Sequence, residues 1–102
     1  MQDITAAEVA ERLKAGETLR IVDVREPDEA AEFNIGAKLI PLGQIMAMQV
    51  DEIEDWKDEE LIIHCRSGKR SLQAGLILET LGFRQVKNLV GGMLAWQELG
   101  HS

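Results

Sequence analysis

Cysteine occurs once in this chain, at position 65, so no internal disulfide can staple the fold and a reducing compartment suits it. Tyrosine is absent, and two tryptophans and two phenylalanines make up the 4% of aromatic residues. No segment approaches the roughly 20 apolar residues needed to cross a bilayer, which excludes a membrane-spanning helix. The amino terminus, "MQDITAAEVAERL", has neither the basic head nor the apolar run of a secretory leader, and a cytoplasmic location is the expectation. Cations are in deficit. Eleven Lys and Arg face 18 Asp and Glu, a net charge of -7, which argues against DNA, RNA or an anionic membrane as the main partner. There are also no repeats, no linker and no low-complexity tract.

What is present suits one soluble domain spanning 1–102, with 45% hydrophobic and 28% charged residues. Thr5 and Glu8 form a capping-box pattern ahead of Val9 and Leu13, and Gly16 supplies a stop, so the first element expected is a short amphipathic helix. "LRIVDV" at 19–24 is a brief apolar, β-branched run that reads as a buried strand. Pro27 opens one or two helical turns, and "AKLIPL" at 37–42 is a further strand closed by Pro41. Residues 42–56 carry Ile45, Met46, Met48, Val50 and Ile53 at partly helical spacing, which assigns the two methionines to a core or a helix face. "ELIIHC" at 60–65 is the clearest strand. Leu72, Ala74 or Gly75, Leu78 and Leu81 then mark a helix face, "QVKNLVGG" a last strand and "MLAWQELG" a last helix. Strands alternating with helices predict an α/β fold: an open, mostly parallel sheet with helices on both faces. The acidic stretch "DEIEDWKDEE" at 51–60 reads as a solvated helix end and loop.

Ligands of such sheets bind beyond the carboxyl ends of the strands, where both "DVREP" and "CRSGKRS" fall. A strand-terminal cysteine taken alone is most simply a small buried hydrophobe. The residues after Cys65 change that balance. Backbone amides of Arg66, Ser67, Gly68, Lys69, Arg70 and Ser71 can curl around a sulfur anion, with Gly68 permitting the curvature and a helix starting near Ser71 adding its positive end. Because the thiolate is the nucleophile, such surroundings activate it. Arg66 and Lys69 are candidates for drawing in an anionic donor, and Arg70 for bracing the loop or contacting the neighbouring strand end. Only four residues separate Cys65 from Arg70, one fewer than in the phosphatase pattern, so the cradle suits a smaller group such as the outer sulfur of a persulfide. His64 precedes the cysteine in an extended strand and should point away from it. His101, in the terminal tail, is expected to be disordered. One cysteine and two such histidines make no metal site, and no cofactor is expected.

At this point the sequence resembles a single-domain rhodanese over essentially its whole length. "VDVREPDE" at 22–29, "IGAKLIPL" at 35–42, "CRSGKRS" at 65–71 and "GGMLAW" at 91–96 match the family's motifs in order. The resemblance implies a rhodanese-like fold and a persulfide-forming Cys65 whose pocket is framed by residues 66–70. It also implies that Asp23 and Arg25 hold the strand ends, and that Gly91, Gly92 and Trp96 pack beside the loop. The glycines themselves read as a close turn and Trp96 as core or pocket wall. The implied activity is transfer of sulfane sulfur from thiosulfate or a related donor to a thiol or cyanide. Partners would then be small sulfur-containing anions and thiols, or a sulfur-acceptor protein. Two other readings stand beside it: a persulfide carrier or redox-linked binding module, and small-anion phosphatase or arsenate reductase chemistry. One departure is visible. The family commonly has His-Ile-Pro-Gly-Ala where this chain has "FNIGA", which puts Asn34 at the histidine position. Asp23 and Arg25 also read as a structural ion pair, and Glu26 and Glu29 as solvated.

Overall fold

The strand Glu60–His64 (β4) lies at the centre of a five-stranded sheet because its side chains are apolar on both faces. Leu61 and Ile63 point into one layer and Ile62 into the other, and all three are fully buried. Such two-sided burial requires helices above and below, and that requires parallel strands joined by crossovers. The structure, a computed structural model, describes residues 1–100; His101 lies outside them. The strands are Gln2–Ile4 (β1), Ile21–Asp23 (β2), Lys38–Leu39 (β3), β4 and Gln85–Leu89 (β5), all parallel, in the order β1-β5-β4-β2-β3.

Helix Ala6–Lys14 (α1) starts where the sequence places it, with the Thr5 hydroxyl accepting a hydrogen bond from the Glu8 amide at 3.1 Å. The other helices are Pro27–Glu32 (α2), Leu42–Met46 (α3), Lys69–Thr80 (α4) and Gly92–Glu98 (α5), with a 3-10 turn at Asp51–Trp56. One core layer joins Val22, Val24, Ile63 and Cys65 to Ile45, Ile53, Ala74 and Leu78 beneath α3, the 3-10 turn and α4. The other joins Ile4, Ile21, Ile62 and Leu89 to Val9 and Met93 of α1 and α5, with Trp96 partly buried against it. The sheet is therefore open, parallel and covered on both faces, as expected.

Four local expectations need correction. The sheet gains an edge strand ahead of α1: β1 pairs with β5 through Ile4 opposite Leu89, although only Ile4 of its three residues is buried. The 42–56 segment is two short pieces rather than one helix. Between them Met48 adopts a left-handed φ of 61°, and Met46 and Met48 are 54% and 65% exposed rather than packed. On α4 the buried face is Ser71, Ala74, Gly75 and Leu78, and Leu72 points to solvent. The acidic stretch is solvated at most positions, but Glu60 accepts both Arg12, at 3.0 and 2.6 Å, and Lys87, at 2.6 Å. These cations, the Arg12 guanidinium foremost, hold its carboxyl down at about 2 against the opposing effect of burial. Among the described residues no helix is long and apolar enough to cross a membrane.

Candidate active site

Cys65 follows the last residue of β4, and alternation along the strand turns its side chain into the layer beneath α4, where it is 1% exposed. The chain then folds back on the sulfur. Gly68 has a φ of 100°, a conformation that a Cβ would strain, and this reversal aims its amide at Cys65 Sγ from 3.1 Å. The Ser71 amide follows at 3.4 Å and the Ser71 hydroxyl lies 3.5 Å away. Burial by itself pushes the thiol up. The Ser71 hydroxyl and the amides of Ser71, Gly68 and Ser67 outweigh it, and the thiol ends below its ordinary value. The sulfur thus occupies an anion cradle at the start of α4, which begins at Lys69, two residues earlier than its sequence suggests.

The glycine pair after β5 locks the loop from the other side. Met93 and Leu94, in the first turn of α5, donate their amides to the carbonyls of Cys65 and Arg66 at 2.9 and 3.0 Å. This approach depends on Gly92, where a Cβ would sit 2.4 Å from the Cys65 carbonyl oxygen and 2.6 Å from the Arg66 carbonyl. Gly91 lies against Gly68 in the same way, its amide 3.3 Å from where a Gly68 Cβ would be. The two glycines therefore pack on the loop, whereas Trp96 sits one helical turn further on in the second core layer.

Arg70 finds its partner in Glu29 of α2. Two parallel bonds of 2.7 and 2.8 Å join them, so Glu29 is not a free solvated carboxylate as the sequence suggests. The Arg70 guanidinium, working against burial, brings the Glu29 carboxyl down to about 2, and the carboxylate in turn raises Arg70. Asp23 and Arg25 form a buried ion pair at the end of β2, with Nε and a terminal nitrogen of Arg25 at 2.9 and 2.7 Å from the carboxylate. The same guanidinium also donates to the Phe33 carbonyl, which ties β2 to the loop beyond α2. The pair is thus an internal brace.

His64 lies on the opposite face from the thiol. It is fully buried, neither ring nitrogen finds a hydrogen-bond partner, and Asp23 Oδ1 stands 3.9 Å from Nδ1. Burial pushes it down to about 4 although Asp23 works the other way, so it is neutral at physiological pH. Asn34 accepts the amides of Gly36 and Ala37 at 2.7 and 2.8 Å and closes the turn before β3. Arg66, Ser67 and Lys69 stand exposed at the mouth of the loop, and neither cation forms an ion pair among the described residues. A cavity of about 390 Å³ adjoins Arg66 alone of the three, lined also by Arg25, Glu29, Glu32, Phe33 and the Met93, Leu94 and Gln97 side of α5. Asn88 of β5, which no sequence signal singles out, reaches the loop from below and hydrogen-bonds to both Ser71 and Gly68.

This arrangement agrees with what the chain is similar to. The Rhodanese-like domain model matches residues 5–99. The chain belongs to the rhodanese-like domain family. A sulfurtransferase of Allochromatium vinosum is 35% identical over 98% of this chain and 92% of its own length. The human thiosulfate:glutathione sulfurtransferase is 34% identical over 84% of this chain and 85% of its own. The crystal structure of a Staphylococcus aureus rhodanese-like domain protein superposes with a TM-score of 0.82 at 34% identity, covering 94% of this chain and 91% of that one. Relatives of this kind support a sulfurtransferase activity for the rhodanese-like domain described here.

Proposed function

We propose that this protein moves sulfane sulfur through a persulfide on Cys65, with thiosulfate or a related anion as donor and a thiol or cyanide as acceptor. One observation carries the reading: two backbone amides and a hydroxyl converge on a single sulfur within a six-residue loop, an arrangement that favours negative charge on that atom. The Cys65 thiolate attacks the outer sulfur of thiosulfate, the bond between the two donor sulfurs breaks, and sulfite leaves with the electron pair. The enzyme is left as Cys65–S–S(-). An acceptor thiolate then attacks the outer sulfur, takes it as a persulfide and returns the Cys65 thiolate; cyanide leaves as thiocyanate. No proton has to move in either step, which suits a site from which His64 faces away.

The thiol itself is covered, whereas a persulfide extends by one S–S bond of about 2 Å toward the mouth, where Arg66 and Lys69 offer exposed positive charge. Arg70, already engaged by Glu29, holds the loop rather than the donor. The human relative's name gives thiosulfate and glutathione as its substrates, and both fit this chemistry. The test is mass spectrometry of the intact protein after exposure to thiosulfate. Cys65 should gain one sulfur atom that cyanide removes, and an unmodified Cys65 under those conditions refutes the proposal. Steady turnover with small thiols alone marks an enzyme; turnover that depends on an added protein acceptor marks a carrier.

A further inference from the structure

The side chain of Asn88 is placed by register. Asn88 pairs with Ile63, two residues before the cysteine, and alternation from Val86 turns it toward α4. It is buried, and both ends of its amide are used. Nδ2 donates to the Gly68 carbonyl at 3.3 Å, and Oδ1 accepts the Ser71 hydroxyl at 2.5 Å. The carbonyl at Gly68 fixes this orientation, since a flipped amide would set two acceptors against each other.

The Ser71 hydroxyl has one hydrogen and two acceptors, Asn88 Oδ1 at 2.5 Å and Cys65 Sγ at 3.5 Å. In the thiol state both needs are met, because S–H donates to Oγ and O–H donates to Asn88. In the thiolate state the sulfur can only accept. The hydroxyl must then either turn to it, leaving Oδ1 without a donor, or stay with Asn88 and leave the sulfur to the two amides. Turning requires only rotation about the Cβ–Oγ bond.

We propose that Asn88 is a positioning residue that competes with the Cys65 thiolate for the Ser71 hydrogen and so limits how far the loop ionises the thiol. The limit matters for transfer chemistry because nucleophilicity falls as a thiol becomes more acidic. The proposal rests on Cys65 being the reacting group, but its test needs no sulfur transfer.

Cys65 is the only cysteine, so the pH dependence of alkylation by iodoacetamide reports its ionisation alone. Asn88→Ala should lower the apparent thiol pKa by about half a unit, the equivalent of one modest hydrogen bond, with about a threefold faster alkylation on the acid side. Ser71→Ala should raise the pKa, and adding Asn88→Ala to it should change nothing further. A rise in the single Asn88→Ala variant, or an equal change in both backgrounds, overturns the proposal and leaves Asn88 as a brace for Gly68. Should the alanine variant fail to fold, isosteric Asn88→Asp serves instead. Its carboxylate should raise the thiol pKa more when Ser71 is present than when it is absent, and equal rises overturn the proposal. Absence of a persulfide after thiosulfate would refute the proposed function without touching this result.

Discussion

Replacing Gly92 by alanine tests whether the loop around Cys65 is held by its contact with α5. The added Cβ would meet the Cys65 and Arg66 carbonyls at 2.4 to 2.6 Å, so loop and helix would have to part by roughly 1 Å to reach ordinary contact. Both are backbone, and neither can swing aside. Separation on that scale breaks the two bonds from Met93 and Leu94 to those carbonyls, at a cost of about 1 kcal/mol each. The left-handed φ of 55° adds about 1 kcal/mol for any residue with a Cβ. The expected loss is about 3 kcal/mol, which for a domain of this size lowers a urea midpoint by about 1 to 3 M. Gly16→Ala is the matched control, because Gly16 has a φ of 88° with nothing within 4 Å of its Cβ position and so isolates the backbone strain. It should cost about 1 kcal/mol. Loosening the loop also pulls the Gly68 and Ser71 amides from the sulfur, so the alkylation profile of Gly92→Ala should shift toward that of an ordinary thiol. A Gly92→Ala midpoint no lower than that of Gly16→Ala, with an unshifted profile, would refute the claim that close backbone approach holds the site.

Acid should destabilise the protein through His64 before it does so through the carboxylates. The folded state holds this histidine at about 4 against an unfolded value near 6.5, so the neutral ring's contribution is complete above 6.5 and is lost as pH falls to 4, about 3 kcal/mol in all. Glu29 and Glu60, with folded values of about 2, lose their contribution only below their unfolded value of about 4.5, which leaves pH 6.5 to 4.5 as the window specific to His64. Urea midpoints of His64→Leu should be nearly flat across that window while those of the parent fall; parallel slopes would refute the assignment. Charge reversal at the mouth, Arg66→Glu with Lys69→Glu, should raise the KM for thiosulfate severalfold and shift the alkylation profile of Cys65 toward higher pH. Unchanged steady-state kinetics would assign both side chains to solvent.

The layered fold is legible in the sequence where an element is buried on both sides or carries its own stop signal. β4 announces itself by three consecutive aliphatic residues, and α1 by Thr5 and Gly16. β1 is hidden because an edge strand of three residues with a single buried side chain leaves almost no pattern, and only its pairing with β5 defines it. Met46 and Met48 are misleading for a related reason. Their spacing suits a helix face, but the helix ends at Met46 and Met48 turns left-handed, so the spacing has no helix to act on.

The site divides along the same line. Cys65, Gly68 and Ser71 are close in sequence, and the chemistry of an anion cradle can be read from their order alone. Glu29 and Asn88 are as close to that loop in space, yet they lie 41 positions before Arg70 and 17 after Ser71. Locally Glu29 is only the N3 partner of a capping box, accepting the Glu26 amide at 3.0 Å, and nothing near it in sequence announces Arg70. What selects it is where α2 sits once β2 has paired with β4, an outcome of sheet order rather than of any residue in α2. Asn88 likewise becomes a partner only because β5 is in register with β4, so that Ile63 fixes its level and α4 brings Ser71 over it. A slip of two residues along β5 would keep every apolar side chain on its proper face and still move Asn88 a full pleat from Ser71. Burial alone therefore cannot specify this contact. Polar contacts supply the further constraint: the Lys87–Glu60 ion pair, the Arg84 amide on the Lys57 carbonyl, and the backbone join after β5, where Met93 and Leu94 bind the carbonyls of Cys65 and Arg66 and Gly92 permits the approach. The same join that closes the loop therefore also helps hold the register that sets Asn88 beneath Ser71.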